Sequence, residues 1–126
     1  MLAMKRIYED YDATDGTRVL VDRLWPRGIK KTSAHIDYWA KELAPSTQLR
    51  KWFNHEEEKM PEFAAAYRKE LFSSTTAKNK MQELSKKSQH ETLTFLFAAK
   101  SYEVNHVVVL LSIMKKEYGA KLTSTK

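Results

Sequence analysis

RVLVDRLWPRG, residues 18–28, sets a short apolar run against an abrupt change of chemistry. Val19-Leu20-Val21 has the length and β-branched content of a strand buried on both faces. Asp22 and Arg23 then place opposite charges at its end, and Trp25, Pro26, Arg27 and Gly28 follow at once. Open α/β sheets hold ligands in the crevice beyond the carboxyl ends of their strands, so a charged turn directly after a buried strand is a candidate site. The same residues also describe a structural clasp in which Asp22 caps the turn and pairs with Arg23 or Arg27, because structural ion-pair networks imitate functional ones.

Outward from this stretch, Thr92-Leu93-Thr94-Phe95-Leu96-Phe97 is nearly continuously apolar and is predicted to be a central strand covered on both sides. It runs into Ala98-Ala99-Lys100, two small residues that permit a close approach and a cation at the strand mouth. Four helices are predicted between the two strands. In the first, Thr32 or Ser33 is the N-cap and Ile36, Trp39, Ala40 and Leu43 form one face. Pro45 stops it, and Ser46 or Thr47 caps a second with Leu49, Trp52 and Phe53 inward. Pro61 opens a third with Phe63, Tyr67 and Leu71 inward, and Ser74 or Thr75 a fourth with Ala77, Met81 and Leu84 inward. A fifth helix is predicted from Ser101 to Tyr118, closing at Gly119. Near the start, Lys5-Arg6-Ile7-Tyr8 alternates like an edge strand, and the Asp15-Gly16 turn separates it from Val19. The intervening loop leaves the direction of this first strand open, and an antiparallel pair is the expectation. A helical excursion between Val19 and Phe95 is what a parallel crossover requires. The fold class is therefore α/β, with a small, largely parallel sheet of about three strands flanked by about five helices, in a single domain over 1–126.

Parallel strands put both charged loops on one side. Asp22, Arg23, Trp25 and Arg27 then face Lys100, Asn105 and His106 across one crevice, although nearly eighty residues separate the loops. In this reading Arg23, Arg27 and Lys100 hold an anion, Asp22 orients an arginine or acts as base, and His106 handles a proton. Trp25 walls the pocket or stacks on a planar ligand. The helix dipole disfavours an imidazolium in the first turn, so His106 is expected to be neutral. Ser46 is a helix cap whose neighbouring free N–H groups, with Arg50 one turn on, form an anion cradle. His55, beside Glu56 to Glu58, is read as a solvated surface residue.

Composition narrows the function classes. A formal charge of +6 favours an anionic partner, a small anionic ligand or a phosphate-bearing substrate. The chain has no cysteine, which removes disulfides and thiolate zinc sites and suits a cytoplasmic location. The four histidines, His35, His55, His90 and His106, have no metal-ligand spacing, and neither a metal nor a cofactor is expected. No run approaches the roughly 20 apolar residues of a membrane helix. The competing class is a non-catalytic nucleic-acid or protein-binding module using Lys78, Lys80, Lys86, Lys87 and the basic C-terminus. No aromatic residues interleave with those lysines, so nucleic acid is the weaker reading, and whether the protein is an enzyme is left open. Oligomeric state is not legible.

VLVDRLWPRGIKK (19–31), WAKELAPSTQLRKWFNH (39–55), Phe63, Tyr67 and Glu70-Leu71, and TLTFLFAAK (92–100) with Asn105-His106 together resemble the YeaO-like proteins of the domain-of-unknown-function family 488. The resemblance covers almost the whole chain and implies a fold rather than an activity. The wider family pattern implies Asp-x-Arg after the early strand and Cys-His-Arg after the late one; here Asp22-Arg23 and Asn105-His106-Val107 stand in those places, without the thiol or the final arginine. Names implying a porphyrin methyltransferase attach to some members, but three glycines and no Gly-rich loop give this chain no such signature.

Overall fold

The structure, a computed structural model, describes residues 1–123. Its centre is a four-stranded sheet of order β1-β4-β2-β3, formed by β1 (Leu2–Arg6), β2 (Thr17–Leu20), β3 (Tyr38–Trp39) and β4 (Leu93–Phe97). Every pairing is parallel, with Met4 and Val19 both opposite Phe95. β4 is the central strand its sequence predicts, and all five of its residues are buried. Its alternation divides the interior in two. Leu93, Phe95 and Phe97 join Leu2, Val19 and Val21 in the larger core, while Leu96 joins Ile7 and Leu20 on the other face.

The larger core is filled by α2 (Thr47–Phe53), α3 (Met60–Phe72), α4 (Thr75–Lys87) and α5 (His106–Tyr118). Phe63, Tyr67 and Leu71 of α3 and Ala77, Met81 and Leu84 of α4 are the inward residues, at the predicted spacing. Ser74 caps α4 by accepting from the Ala77 N–H at 3.1 Å. The opposite face of the sheet is covered by Trp25, Ile29, Ile36 and Trp39, contributed by loops and the two-residue β3. The described residues thus form one α/β domain with a parallel sheet and five helices, the shortest being α1 (Lys31–Ala34).

Four expectations are corrected. The helix predicted through Ile36 and Leu43 is instead α1, then β3, then a 3-10 turn at Lys41–Leu43. Its apolar spacing is real, but His35 takes φ 51° and ends α1, and Asp37 fastens the chain to β2 by donating its N–H to Arg18 O and accepting from the Arg18 N–H. With β3 the small parallel sheet has four strands. The first two strands do not pair: both flank β4, parallel to it, and β1 begins at Leu2 rather than Lys5. α5 starts five residues later than predicted, because Ser101 Oγ accepts from the Glu103 and Val104 N–H groups in a turn and Asn105 provides the cap.

Gly16 lies where β2 begins against β4. Its φ is 67°, and a Cβ there would sit 2.3 Å from Thr92 O, so the register of the two central strands requires glycine.

Candidate functional site

Because β1, β2 and β4 run parallel, their carboxyl ends open on one side, and a cavity of about 690 Å³ lies there. The loop after β2 contributes Asp22 to Arg27, and the segment after β4 contributes Ala98 to Ser101 with Val104, Asn105 and His106. Ala44, Pro45, Arg50, Phe53, His55, Phe63 and Tyr8 complete the lining. Every residue the sequence assigns to the crevice borders this space except Ser46.

Asp22 joins three elements. Its Oδ2 accepts from the Ala98 N–H at 2.9 Å, its Oδ1 lies 3.4 Å from His106 Nε2, and its backbone oxygen accepts from the Trp39 indole at 2.7 Å. It pairs with neither Arg23 nor Arg27, so neither the expected arginine-orienting role nor the expected ion-pair clasp describes it. Arg23 donates instead to Pro45 O at 3.1 Å and Ala44 O at 3.3 Å. Asp22 is a clasp all the same, between the end of β2, the end of β4 and the first turn of α5. Burial pushes its carboxyl above the usual carboxylate range, against the opposing pull of His106 and the Ala98 N–H.

His106 Nε2 lies 2.9 Å from Val21 O, and a carbonyl only accepts, so Nε2 carries the proton. The lone pair of the neutral ring is therefore on Nδ1, for which no protein partner is present among the described residues. The expected neutrality holds, but the main cause is burial, which lowers the imidazole below its ordinary value against the attraction of Asp22. Asn105 is fully engaged: Oδ1 accepts from the Val108 N–H at 3.0 Å and Nδ2 donates to Ser101 O at 2.8 Å. Trp25 Nε1 donates to Ile29 O at 2.6 Å, which leaves its ring as the surface it offers.

Ser46 caps α2 through the Leu49 N–H, as predicted, but its own N–H and Oγ donate to the two oxygens of Glu70 at 2.9 and 2.6 Å. The anion cradle expected there is filled by a carboxylate of the protein. Arg50, one turn on, does line the cavity, and so does His55, for which the sequence predicts a solvated surface position. His55 is exposed, but Asn54 and His55 both take positive φ, 47° and 57°, and this turn brings the imidazole to the cavity. Only a helix ending before a non-glycine pair signals that bend in sequence.

The electrostatics are one-sided. Arg23, Arg27, Arg50 and Lys100 border the cavity with Asp22 as its one carboxylate, and none of the four cations is in an ion pair among the described residues. On the outer face of α4, by contrast, Lys80 pairs with Glu83 and Lys87 with Glu91. Lys126, part of the basic C-terminus, lies outside the described residues. Among the described residues no group of three or more His, Asp or Glu side chains is placed to hold a metal, and no helix is long and apolar enough to cross a membrane.

The family model described as the inactive DUF488-N3 subclade matches residues 1–125. The chain belongs to that family. Within DUF488 it is YeaO-like: the uncharacterized protein YeaO of Escherichia coli (strain K12) is 43% identical over 106 residues, which are 84% of this chain and 90% of that one. An uncharacterized protein of Mycobacterium tuberculosis (strain ATCC 25618 / H37Rv) is 39% identical over 109 residues, 86% of this chain and 89% of its own length. No solved structure matches this DUF488 chain.

Proposed function

We propose that this DUF488 protein binds a small anionic, phosphate-bearing ligand in the crevice beyond β2 and β4, and that it does so without turning it over. The observation that carries the reading is the set of unpaired cations around the cavity. Among the described residues Arg27, Arg50 and Lys100 are in no ion pair and Arg23 donates to two backbone carbonyls, which supports a site with positive charge to spare for a ligand.

Binding without turnover is supported by what the polar groups are already doing. The Asp22 carboxylate is taken by Ala98 and His106, the Tyr8 hydroxyl donates to Arg27 O, and Ser101 Oγ holds its own turn. The chain has no cysteine, and Ser46 does not reach the cavity. The description of the subclade as inactive supports the same reading.

The test is the melting curve with added phosphate or sulfate against sodium chloride of equal ionic strength. At a ligand concentration about a hundred times the dissociation constant, stability rises by about 2.7 kcal/mol. In a domain of this size that lifts Tm by about 10 °C. Arg27→Ala is expected to shrink the shift and Lys86→Ala, on the outer face of α4, to preserve it. Equal responses of the two variants, or no shift beyond that of sodium chloride, would reject the crevice. Sub-micromolar binding of DNA or RNA, abolished by neutralising Lys78, Lys80, Lys86 and Lys87, would favour the binding-module alternative.

A further inference from the structure

We infer that the ligand is a soluble organic phosphate monoester with a small hydrocarbon body, its phosphate held by the cations and its body enclosed against Leu24, Ala98, Ala99 and Val104. This rests on the anion-binding reading above and adds the chemistry of the ligand's other end. The cavity has walls of two kinds. Arg27, Arg50 and Lys100 are exposed cations, drawn from the loop after β2, from α2 and from the segment after β4. The two loops also carry apolar side chains that the fold leaves open. Leu24 is 61% exposed, more than any other large apolar side chain among the described residues, and Ala98, Ala99 and Val104 are only half-buried. Tyr8, itself exposed, borders the same space, and because its hydroxyl already donates to Arg27 O its ring is what it offers.

Single apolar groups scattered over a surface are ordinary, but these border one cavity together with cations that are in no ion pair among the described residues. A bare phosphate would use the cations and leave this hydrocarbon in water. The volume points the same way: about 690 Å³ lies within the roughly 300–1,000 Å³ of sites that take whole organic molecules. A second phosphate fits the remaining space less well. It would lose water against apolar groups that return no hydrogen bond, and it would meet Asp22, the one carboxylate of the lining. A hydrocarbon body asks for no polar partner and removes the open apolar surface from water.

The experiment is a calorimetric titration of the unaltered protein with methyl, ethyl, butyl and hexyl phosphate at pH 8, where all four carry nearly the same charge, close to −2. Inorganic pyrophosphate, 1-butanol and vesicles containing phosphatidic acid complete the set. Each methylene taken out of water gains up to about fourfold in affinity, so butyl phosphate is expected to bind about tenfold or more tighter than methyl phosphate. The rise is expected to level off by hexyl phosphate as the cavity fills, and butyl phosphate is expected to bind tighter than pyrophosphate and than 1-butanol. Leu24→Ser, at an exposed position, is expected to flatten the rise with chain length. An affinity that does not change with chain length, or pyrophosphate binding tighter than butyl phosphate, would overturn the inference and leave the anion site standing. Binding to the vesicles in preference to the soluble esters would overturn it in favour of a lipid headgroup. If no phosphate binds, the inference and the anion site both fail. The ladder on the unaltered protein decides the matter even where the variant does not fold.

Discussion

At the scale of single residues, Asp22 and His106 make opposite contributions to the pH dependence of stability. Burial holds His106 below the ordinary value of 6.5, so between that value and its lowered native one the unfolded chain binds more protons than the native state. Its contribution is complete above 6.5 and is lost as the pH falls through this window. Asp22 works the other way: its native value is raised above 3.8, so between the two the folded state binds more protons and gains stability as the pH falls. Urea unfolding of the unaltered protein is therefore expected to show a loss of stability beginning just below 6.5, and His106→Gln to flatten that limb. An identical slope in the variant would contradict the assignment. Asp22→Asn keeps an acceptor for the Ala98 N–H and removes the one negative charge bordering the cavity. It is expected to retain a cooperative fold and to bind phosphate more tightly, whereas Asp22→Ala orphans that N–H and costs about 1–3 kcal/mol. Weaker phosphate binding by Asp22→Asn would contradict the reading of Asp22 as a charge that opposes the anion.

At the scale of elements, the start of α2 shows how the protein supplies its own anion. Glu70 of α3 reaches the Ser46 N–H and hydroxyl, tying two helices together where free donors were expected. Glu70→Ala is expected to cost about 1.5–3 kcal/mol, the range for hydrogen bonds to a charged group. Measured by denaturant unfolding, that loss is expected without any change in the phosphate-induced shift, because Ser46 is outside the cavity. The cap itself was legible in the sequence, since a serine after a proline and before an apolar stripe has few other readings. Its partner was not, because Glu70 is 24 residues away and nothing local specifies the contact. The segment after α1 failed for a different reason. Ile36 and Trp39 do face apolar neighbours at helical spacing, yet they do so from a loop and a two-residue strand laid over the sheet, where periodicity carries no information. β4, α3 and α4 were legible because each is long enough for its period to show and each faces a continuous core.

At the scale of the whole molecule, the parallel sheet does the assembling. Once β2 and β4 are known to be buried and joined by helices, parallel pairing follows, and with it the meeting of Asp22, Arg23 and Arg27 with Lys100, Asn105 and His106. What the sequence could not supply was which of these groups are already spent. Asn105 and Asp22 are used by the backbone, while Arg50 and His55, carried in by α2 and the turn after it, are not. The measurement closest to the central claim is a titration of the ¹⁵N-labelled protein with phosphate, followed amide by amide. Saturable shifts are expected at Arg23 to Gly28, at Ala98 to Ser101, at Val104 to His106 and at Arg50, with the phosphorus signal unchanged on long incubation. Shifts confined to Lys78, Lys80, Lys86 and Lys87 on α4, or weak shifts spread over every lysine, would contradict a crevice built to hold an anion.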